Sequence, residues 1–176
     1  LDNTYSYSYL SYSGYLRAKL LMEGYWKRVA ERKTDESPYR AGFAQVICVA
    51  DTDAEAERLY GPHVNYFYNR CLHVYPGFAD APGYRTIKTI QTGALSQFTQ
   101  AAARDYPSMT WKDLVDGRYI IAGSPETVRE KIEQWCHDIG GAFGYLMIYS
   151  YDYMDNPTPW EESMKRLATE VVPKIA

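Results

Sequence analysis

Short apolar runs alternate along the chain with amphipathic patterns of helical period. The clearest example is the apolar run at 118–123, which predicts a buried strand. Apolar residues then recur at helical spacing over 128–139, which predicts a helix directly after it. Ser124 predicts the N-cap of this helix, and Pro125 suits its first turn, where a missing N–H costs nothing. A second apolar run at 144–149 predicts another strand. This strand–helix–strand order with a short entry loop favours a parallel sheet.

Two further strand–helix units precede this one. Residues 3–13 alternate tyrosine with serine, a period of two that predicts a strand, and residues 15–29 continue with helical spacing. Residues 41–50 form the clearest strand of the chain. Thr52 and Glu55 follow it at the spacing of a capping box, which predicts the start of a helix.

Gly61 and Pro62 predict the end of this helix, and helical spacing resumes over 64–75. The last unit is the strand at 144–149 and a final helix with Thr158 as its predicted cap. Four such units in succession predict an α/β fold with a parallel sheet. An open sheet and a barrel are both compatible with this order. Neither GxGxxG nor GxxxxGK[ST] follows a predicted strand, which argues against a nucleotide-binding open sheet.

A long insertion at 78–116 interrupts the regular order before the third strand. It is polar and punctuated by proline and glycine, with short helices predicted only at 95–104 and 110–114. A long connection of this kind is typical of a lid or a binding loop. An excursion that only covers one end of the sheet is the equally weighted alternative.

Composition and charge exclude several classes of protein. The 176 residues carry a net charge of -3 with acids and bases mixed, so no basic stripe predicts nucleic-acid binding. The apolar runs are too short to span a bilayer, and no membrane association is expected. Three cysteines without a CxxC pair suggest a reducing compartment, so we expect a cytoplasmic protein. The chain does not start with Met, which suggests that it was processed or cut from something longer.

No group of residues with self-sufficient catalytic chemistry stands out. The sequence shows no Ser-His-Asp arrangement, no paired carboxylates and no ligand cluster that would predict a metal. The three histidines are scattered at 63, 73 and 137, and we interpret them as structural. His137 suits a helix C-terminus, where the helix dipole favours its protonated form. No residue is therefore assigned a catalytic role.

Three stretches carry the signature of a family. They are ADTDAEA at 50–56, directly after the strand at 43–49, AGSPETV at 122–128, and SMKRLATEVVP at 163–173. In order and spacing they resemble the C-terminal half of the bacterial luciferase-like, flavin-dependent monooxygenases. The resemblance extends over nearly the whole chain and is weakest across 78–116.

The resemblance implies an eight-stranded (β/α)8 TIM barrel, of which this chain would supply the last four strand–helix units. Residues 1–176 are then a single partial domain, with 78–116 as its insertion or lid segment. A complete barrel needs about 250 residues, so the missing N-terminal half or a second copy must cover the open strand edges. We expect a homo-oligomer. The family's phosphate-binding glycine/serine segment would lie before the first strand of this chain.

The resemblance also implies reduced FMN and O2 as cofactors, with electrons from NAD(P)H directly or through a separate reductase. The substrate would be a small organic molecule, and the chain alone is expected to be inactive. Ligands of a barrel lie at the carboxyl ends of its strands, which nominates Tyr9, Ser11, Ser13 and Ser150 as flavin-binding residues. Ser124 is interpreted as a helix cap rather than an anion site. The alternative function is a non-catalytic binding or assembly module that keeps the scaffold without a flavin.

Overall fold

The structure is a computed structural model that describes residues 5–11, 14–33, 36–71, 109–139, 143–149 and 156–175. Its strands are β1 (Tyr7–Leu10), β2 (Ala41–Gln45), β3 (Ile47–Val49), β4 (Ile121–Gly123) and β5 (Tyr145–Ile148). Its α-helices are α1 (Tyr15–Arg32), α2 (Asp53–Tyr66), α3 (Trp111–Asp116), α4 (Pro125–Asp138) and α5 (Thr158–Arg166). Single turns of 3-10 or π-helix lie at Pro38–Arg40, Phe67–Cys71, Leu167–Val171 and Val172–Lys174.

The chain divides into two compact units. One unit is Leu1–Tyr60 with Asp113–Ala176, and the other is Gly61–Lys112. All five described strands belong to the first unit. In the second unit, the side-chain amide of Asn69 donates a hydrogen bond to the carbonyl of Met109 at 3.0 Å.

Every strand pair that the structure describes is parallel, as the sequence predicts. β1, β2 and β5 form a three-stranded sheet in the order β1-β2-β5, and β3 and β4 form a two-stranded sheet. β2 and β3 are consecutive segments of one extended run at 41–49, so this run joins the two sheets. The described fold is therefore α/β with parallel strands.

The order of the strands differs from four consecutive members of a barrel, in which β5 would lie beside β4. The carbonyl of Val46 accepts from Ile121 N–H at 3.0 Å, and that of Gln45 accepts from Tyr149 N–H at 3.1 Å. Carbonyls of successive residues in a strand point to opposite edges, so β4 and β5 lie on opposite edges of the central run. The described strands do not confirm the partial barrel.

The two faces of the three-stranded sheet have different environments. Phe43 lies on the face that packs against helices, with its ring centroid 4.6 Å from that of Trp135. Residues two apart in a strand share a face, and the register places Leu10, Ala44 and Met147 in one row on the opposite face. Leu10 is 46% exposed and Met147 is 49% exposed. This second face is therefore apolar and only partly covered by the described residues.

One predicted helix boundary is wrong. Pro62 was expected to end the second helix, but α2 continues through it to Tyr66. The buried residues Tyr60 and Val64 flank the proline at helical spacing, and Tyr68 continues the same stripe. A proline inside a helix removes one hydrogen bond, and burial of a continuous apolar stripe on both sides of it offsets that loss.

The predicted cap of the last helix is also wrong in its position. Thr158 is the first residue of α5, and the N-cap is Pro157, which makes no side-chain hydrogen bond to the helix. The carbonyl of Pro157 instead accepts from the N–H groups of Trp160 and Glu161 at 3.0 and 3.1 Å. The cap of α4 is confirmed, because Ser124 Oγ accepts a hydrogen bond from Thr127 N–H.

Only the end of the predicted insertion is described. α3 confirms the short helix predicted at 110–114, whereas the helix predicted at 95–104 lies outside the described residues. Among the described helices, none combines the length and apolar character needed to cross a membrane.

Candidate functional site

The structure describes two of the four predicted flavin-binding residues. Tyr9 lies in β1 with its ring in an edge-to-face contact with Phe43, at a centroid distance of 6.2 Å. Ser11 follows directly after β1, and its side chain is fully buried. Ser13 and Ser150 lie outside the described residues. Both described side chains are therefore buried rather than exposed at the carboxyl end of β1.

The carboxyl ends of β3 and β4 are linked by the side chain of Asp53. Its Oδ1 accepts a hydrogen bond from the backbone N–H of Ser124 at 2.7 Å, and its Oδ2 accepts from the hydroxyl of Thr127 at 3.1 Å. Gly123 before them has a φ of 144°, and a Cβ at that position would collide with the Asp53 carboxylate. Glycine is thus required where the aspartate meets the start of α4.

The electrostatics of this link follow from its hydrogen bonds. Partial burial tends to raise the pKa of Asp53, but hydrogen bonds from Ser124 and Thr127 and the charge of Lys131 outweigh it and lower the pKa. Burial lowers the pKa of Lys131, whereas Asp53 and Asp116 act in the opposite direction. Lys131 Nζ donates to the carbonyl of Ala122 at 3.1 Å, which holds the ammonium beneath the end of β4.

The hydrogen bonds of Asp53 also occupy the N-terminus of α4. A helix N-terminus favours an anion through its free N–H groups and its dipole, and the carboxylate of Asp53 occupies that position. Ser124 therefore acts as a helix cap, in agreement with its interpretation from the sequence. No pattern in the sequence singles out Asp53 for this role, because its partner Ser124 lies 71 residues further along the chain.

A cleft of about 370 Å³ opens at the carboxyl end of β3, between α2 and α5. Asp51, which follows β3 directly, forms an ion pair with Arg166 of α5 across this cleft. Glu55 and Glu162 add two carboxylates to its lining, and Tyr60 forms part of its wall. The lining of the cleft thus carries more negative than positive side chains.

Two hydroxyl groups join α2 and α5 to β3 behind this cleft. The Tyr60 hydroxyl donates to the Pro159 carbonyl at 2.6 Å, and burial raises the pKa of Tyr60 to about 12. Ser163 Oγ accepts from Val49 N–H at 2.8 Å and lies 3.5 Å from the carbonyl of Ile47. The serine therefore binds backbone groups on the edge of β3 that a neighbouring strand would otherwise pair with.

A second charged cluster surrounds Asp138 at the end of α4. Its carboxylate accepts hydrogen bonds of 2.8 Å from the Tyr15 hydroxyl and from the Gln134 side-chain amide. Arg118 lies 4.3 Å from the Tyr15 ring centroid and 3.6 Å from the Asp138 carboxylate. Hydrogen bonds from Tyr15, His137 and Gln134 hold the pKa of Asp138 well below its usual range. This cluster ties the start of α1 to the end of α4.

Within the part of the chain that the structure describes, no group of three or more His, Cys, Asp or Glu side chains could hold a metal ion. His137 is 86% exposed, and its Nδ1 lies 3.2 Å from Asp138 Oδ1. The chemistry of the described site therefore consists of hydroxyl, carboxylate, guanidinium and ammonium groups at the ends of parallel strands, the edge where ligands of such sheets bind.

The sequence matches the family model described as luciferase-like monooxygenase over residues 10–142. It is 31% identical over 166 residues to the 3,6-diketocamphane 1,6-monooxygenase of Pseudomonas putida, which covers 93% of this chain and 40% of that protein. It is 34% identical over 143 residues to 2,5-diketocamphane 1,2-monooxygenase 1 of the same organism, covering 79% of this chain and 36% of that protein.

A solved structure is similar to this chain as well. It is a type II Baeyer-Villiger monooxygenase, the oxygenating constituent of 3,6-diketocamphane monooxygenase from the CAM plasmid of Pseudomonas putida, in complex with FMN. The TM-score is 0.58 at 28% sequence identity, over 86% of this chain and 38% of that one. The chain thus spans 36–40% of the length of these relatives.

Proposed function

The chain belongs to the luciferase-like monooxygenase family, and from this we propose that it forms the C-terminal part of an FMN-dependent monooxygenase. The observation that carries the proposal is the structural likeness to an FMN-bound monooxygenase at 28% identity and a TM-score of 0.58. When bound, FMN in its reduced form would supply the electrons for oxygenation by O2. One oxygen atom would enter the substrate and the other would leave as water.

We propose that residues 1–176 are a partial domain of a TIM barrel that more chain or a second copy completes. The row of Leu10, Ala44 and Met147 supports this, because an apolar sheet face exposed to this extent favours coverage by further apolar surface. The small residues Gly42 and Ala44 lie on the same face. The ring of Tyr145 lies over Gly42, where no Cβ would fit, and its hydroxyl donates to the Tyr7 carbonyl at 3.1 Å. β1 and β4 share one edge of the central run, so completion of the barrel would require them to lie on opposite edges and β5 to leave β2 and pair beside β4.

We propose that this chain contacts the flavin ring rather than its phosphate. The N-terminus of α4 already holds the Asp53 carboxylate, so the described end of β4 leaves no free anion site there. The proposed flavin contacts remain Tyr9, Ser11, Ser13 and Ser150. Tyr9 and Ser11 would shape the end of β1 from beneath, and the serines outside the described residues would reach the ring. The apolar face of the sheet would exclude water from the ring.

The remaining parts of the proposal concern partners and surroundings. The relatives named for diketocamphanes favour a small organic substrate, and a cyclic ketone is the class to test first. Electrons would come from NAD(P)H directly or through a separate reductase. The insertion at 78–116 would act as a lid, and the enzyme would be a cytoplasmic homo-oligomer. The free thiols of Cys48, Cys71 and Cys136 are compatible with a reducing compartment.

The experiment that tests the function is a hybrid enzyme. The matching C-terminal region of the Pseudomonas putida 3,6-diketocamphane 1,6-monooxygenase is replaced by this chain, and the unmodified relative serves as control. Bound flavin is measured by its visible absorbance after gel filtration. Oxygenated product from reduced FMN, O2 and a bicyclic ketone is measured by gas chromatography with mass detection. We expect bound FMN and product from the hybrid, and neither from the isolated chain.

The alternative is a non-catalytic binding or assembly module that has kept the scaffold. It predicts a folded hybrid, shown by a single sharp thermal transition, that retains no flavin and forms no product. That result, with an active control, would refute the proposed function. A hybrid that binds FMN without forming product supports the flavin site and rejects cyclic ketones as the substrate class.

A further inference from the structure

Two fully buried polar side chains occupy adjacent positions where β1 ends. Within the described residues, Ser11 Oγ and Gln45 Oε1 make no hydrogen bond. Leu10 pairs in register with Ala44, so Ser11 and Gln45 are the next residues along two neighbouring parallel segments. Leu10 is exposed and Ser11 is buried, which places the serine on the helix-facing side, where Phe43 and Gln45 also lie.

These two residues lie at a break along one edge of the central run 41–49. β1 pairs with β2 on this edge and ends beside Ala44, whereas β4 pairs with β3 and begins beside Ile47. No described strand pairs with this edge at Gln45. A Cβ added to Gly14 would come within 3.0 Å of the Tyr119 ring. Gly14, which follows β1, is thus packed against Tyr119, which precedes β4.

Gln45 spans part of the break itself. Its Nε2 donates a hydrogen bond to the carbonyl of Tyr119 at 3.2 Å. The other atom of the side-chain amide, Oε1, is therefore a buried acceptor that receives no hydrogen bond from the described residues. A buried acceptor without a donor is strongly destabilising. Globular proteins satisfy such groups with internal water, which makes about three hydrogen bonds to buried polar atoms.

We propose that this break between β1 and β4 binds a single water molecule. The water accepts a hydrogen bond from the Ser11 hydroxyl and donates one to Gln45 Oε1. A hydroxyl and an amide oxygen are neutral, so the site suits a small neutral ligand that both donates and accepts. It lies on the helix-facing side of the sheet.

The test observes the water directly in the full 176-residue chain labelled with nitrogen-15. A water-selective nuclear Overhauser experiment should show a cross-peak between a long-lived water and the side-chain amide protons of Gln45. Ser11→Ala should remove this cross-peak, because the water loses one of its partners. Ser8→Ala is the matched control, since Ser8 is an exposed serine in the same strand and its replacement should leave the cross-peak unchanged.

A double-mutant cycle in urea provides the second readout. Ser11→Ala and Gln45→Met should each lower the urea concentration at the unfolding midpoint. The midpoint of the double variant should be no lower than that of the less stable single variant, because either change releases the same water. Additive shifts, or the absence of the water cross-peak in the unmodified chain, would overturn the proposal. A crystal structure with Ser11 Oγ bonded directly to Gln45 Oε1 would overturn it too. The cross-peak of the unmodified chain decides even where a variant fails to fold.

Discussion

The edge of β3 offers the most direct test of the described fold. Ser163 of α5 is fully buried, and its Oγ accepts from the N–H of Val49 at 2.8 Å. The carbonyl of Ile47 lies 3.5 Å from the same oxygen, at the limit of a hydrogen bond. Ser163→Ala removes one oxygen and little volume, so the main consequence is a buried N–H group without an acceptor.

The expected loss is the cost of one unsatisfied buried donor, about 1–3 kcal/mol of unfolding free energy. The Ile47 bond is long and adds little to this figure. In a chain of this size each kcal/mol corresponds to about 2–4 °C in Tm, so a loss of 2 kcal/mol lowers the Tm by about 4–8 °C. Urea unfolding followed by far-UV circular dichroism gives the free energy, and a thermal scan gives the Tm.

Thr169→Ala is the matched control. The Thr169 hydroxyl donates to the carbonyl of Lys165 at 2.9 Å, but this bond is exposed. Water replaces it after substitution, so the change should stay within about 0.5 kcal/mol. If Ser163→Ala and Thr169→Ala are equally stable, α5 does not cover the edge of β3 in solution and the reasoning is refuted.

Three further changes test the charged clusters and the turn before α4. The pKa of Asp138 is lowered in the folded state, so the stabilisation from its carboxylate exists above the unfolded pKa of about 3.9 and is lost as pH falls below that value. Asp138→Asn should therefore lower the urea midpoint at pH 7, and the difference from the unmodified chain should shrink between pH 4 and 2. A difference that does not change with pH would contradict this. Gly123→Ala should lower the free energy of unfolding by about 1–3 kcal/mol, because Gly123 has a positive φ and lies against the Asp53 carboxylate. The control Gly24→Ala, in open space within α1, should raise it by about 0.5–1 kcal/mol. Equal effects of the two changes in urea unfolding would reject the close approach of Gly123 to Asp53. Asp53→Ala should cost about 0.5–2 kcal/mol, as for a lost helix cap, and should speed hydrogen exchange at Ser124 N–H, so unchanged exchange would exclude the link.

Local patterns in the sequence determined the elements and their order. The alternation before Leu10, the apolar run at 41–50 and the helical spacing after Ser124 each predict the element that the structure contains. Each such pattern reports on neighbours within a few residues, where backbone geometry and burial of one face dominate. Parallel pairing also followed from the sequence, because a helix between two strands returns the chain in the same direction.

The tertiary structure alone decided which edges and charges meet. β5 lies beside β2 although β4 precedes it in the chain, and Asp53 reaches Ser124 across 71 residues. Pro62 stays inside α2, contrary to its local preference. Ser163 covers an edge 114 residues before it. These contacts depend on how distant segments share buried surface and hydrogen-bonding groups, and no local period in the sequence records that competition.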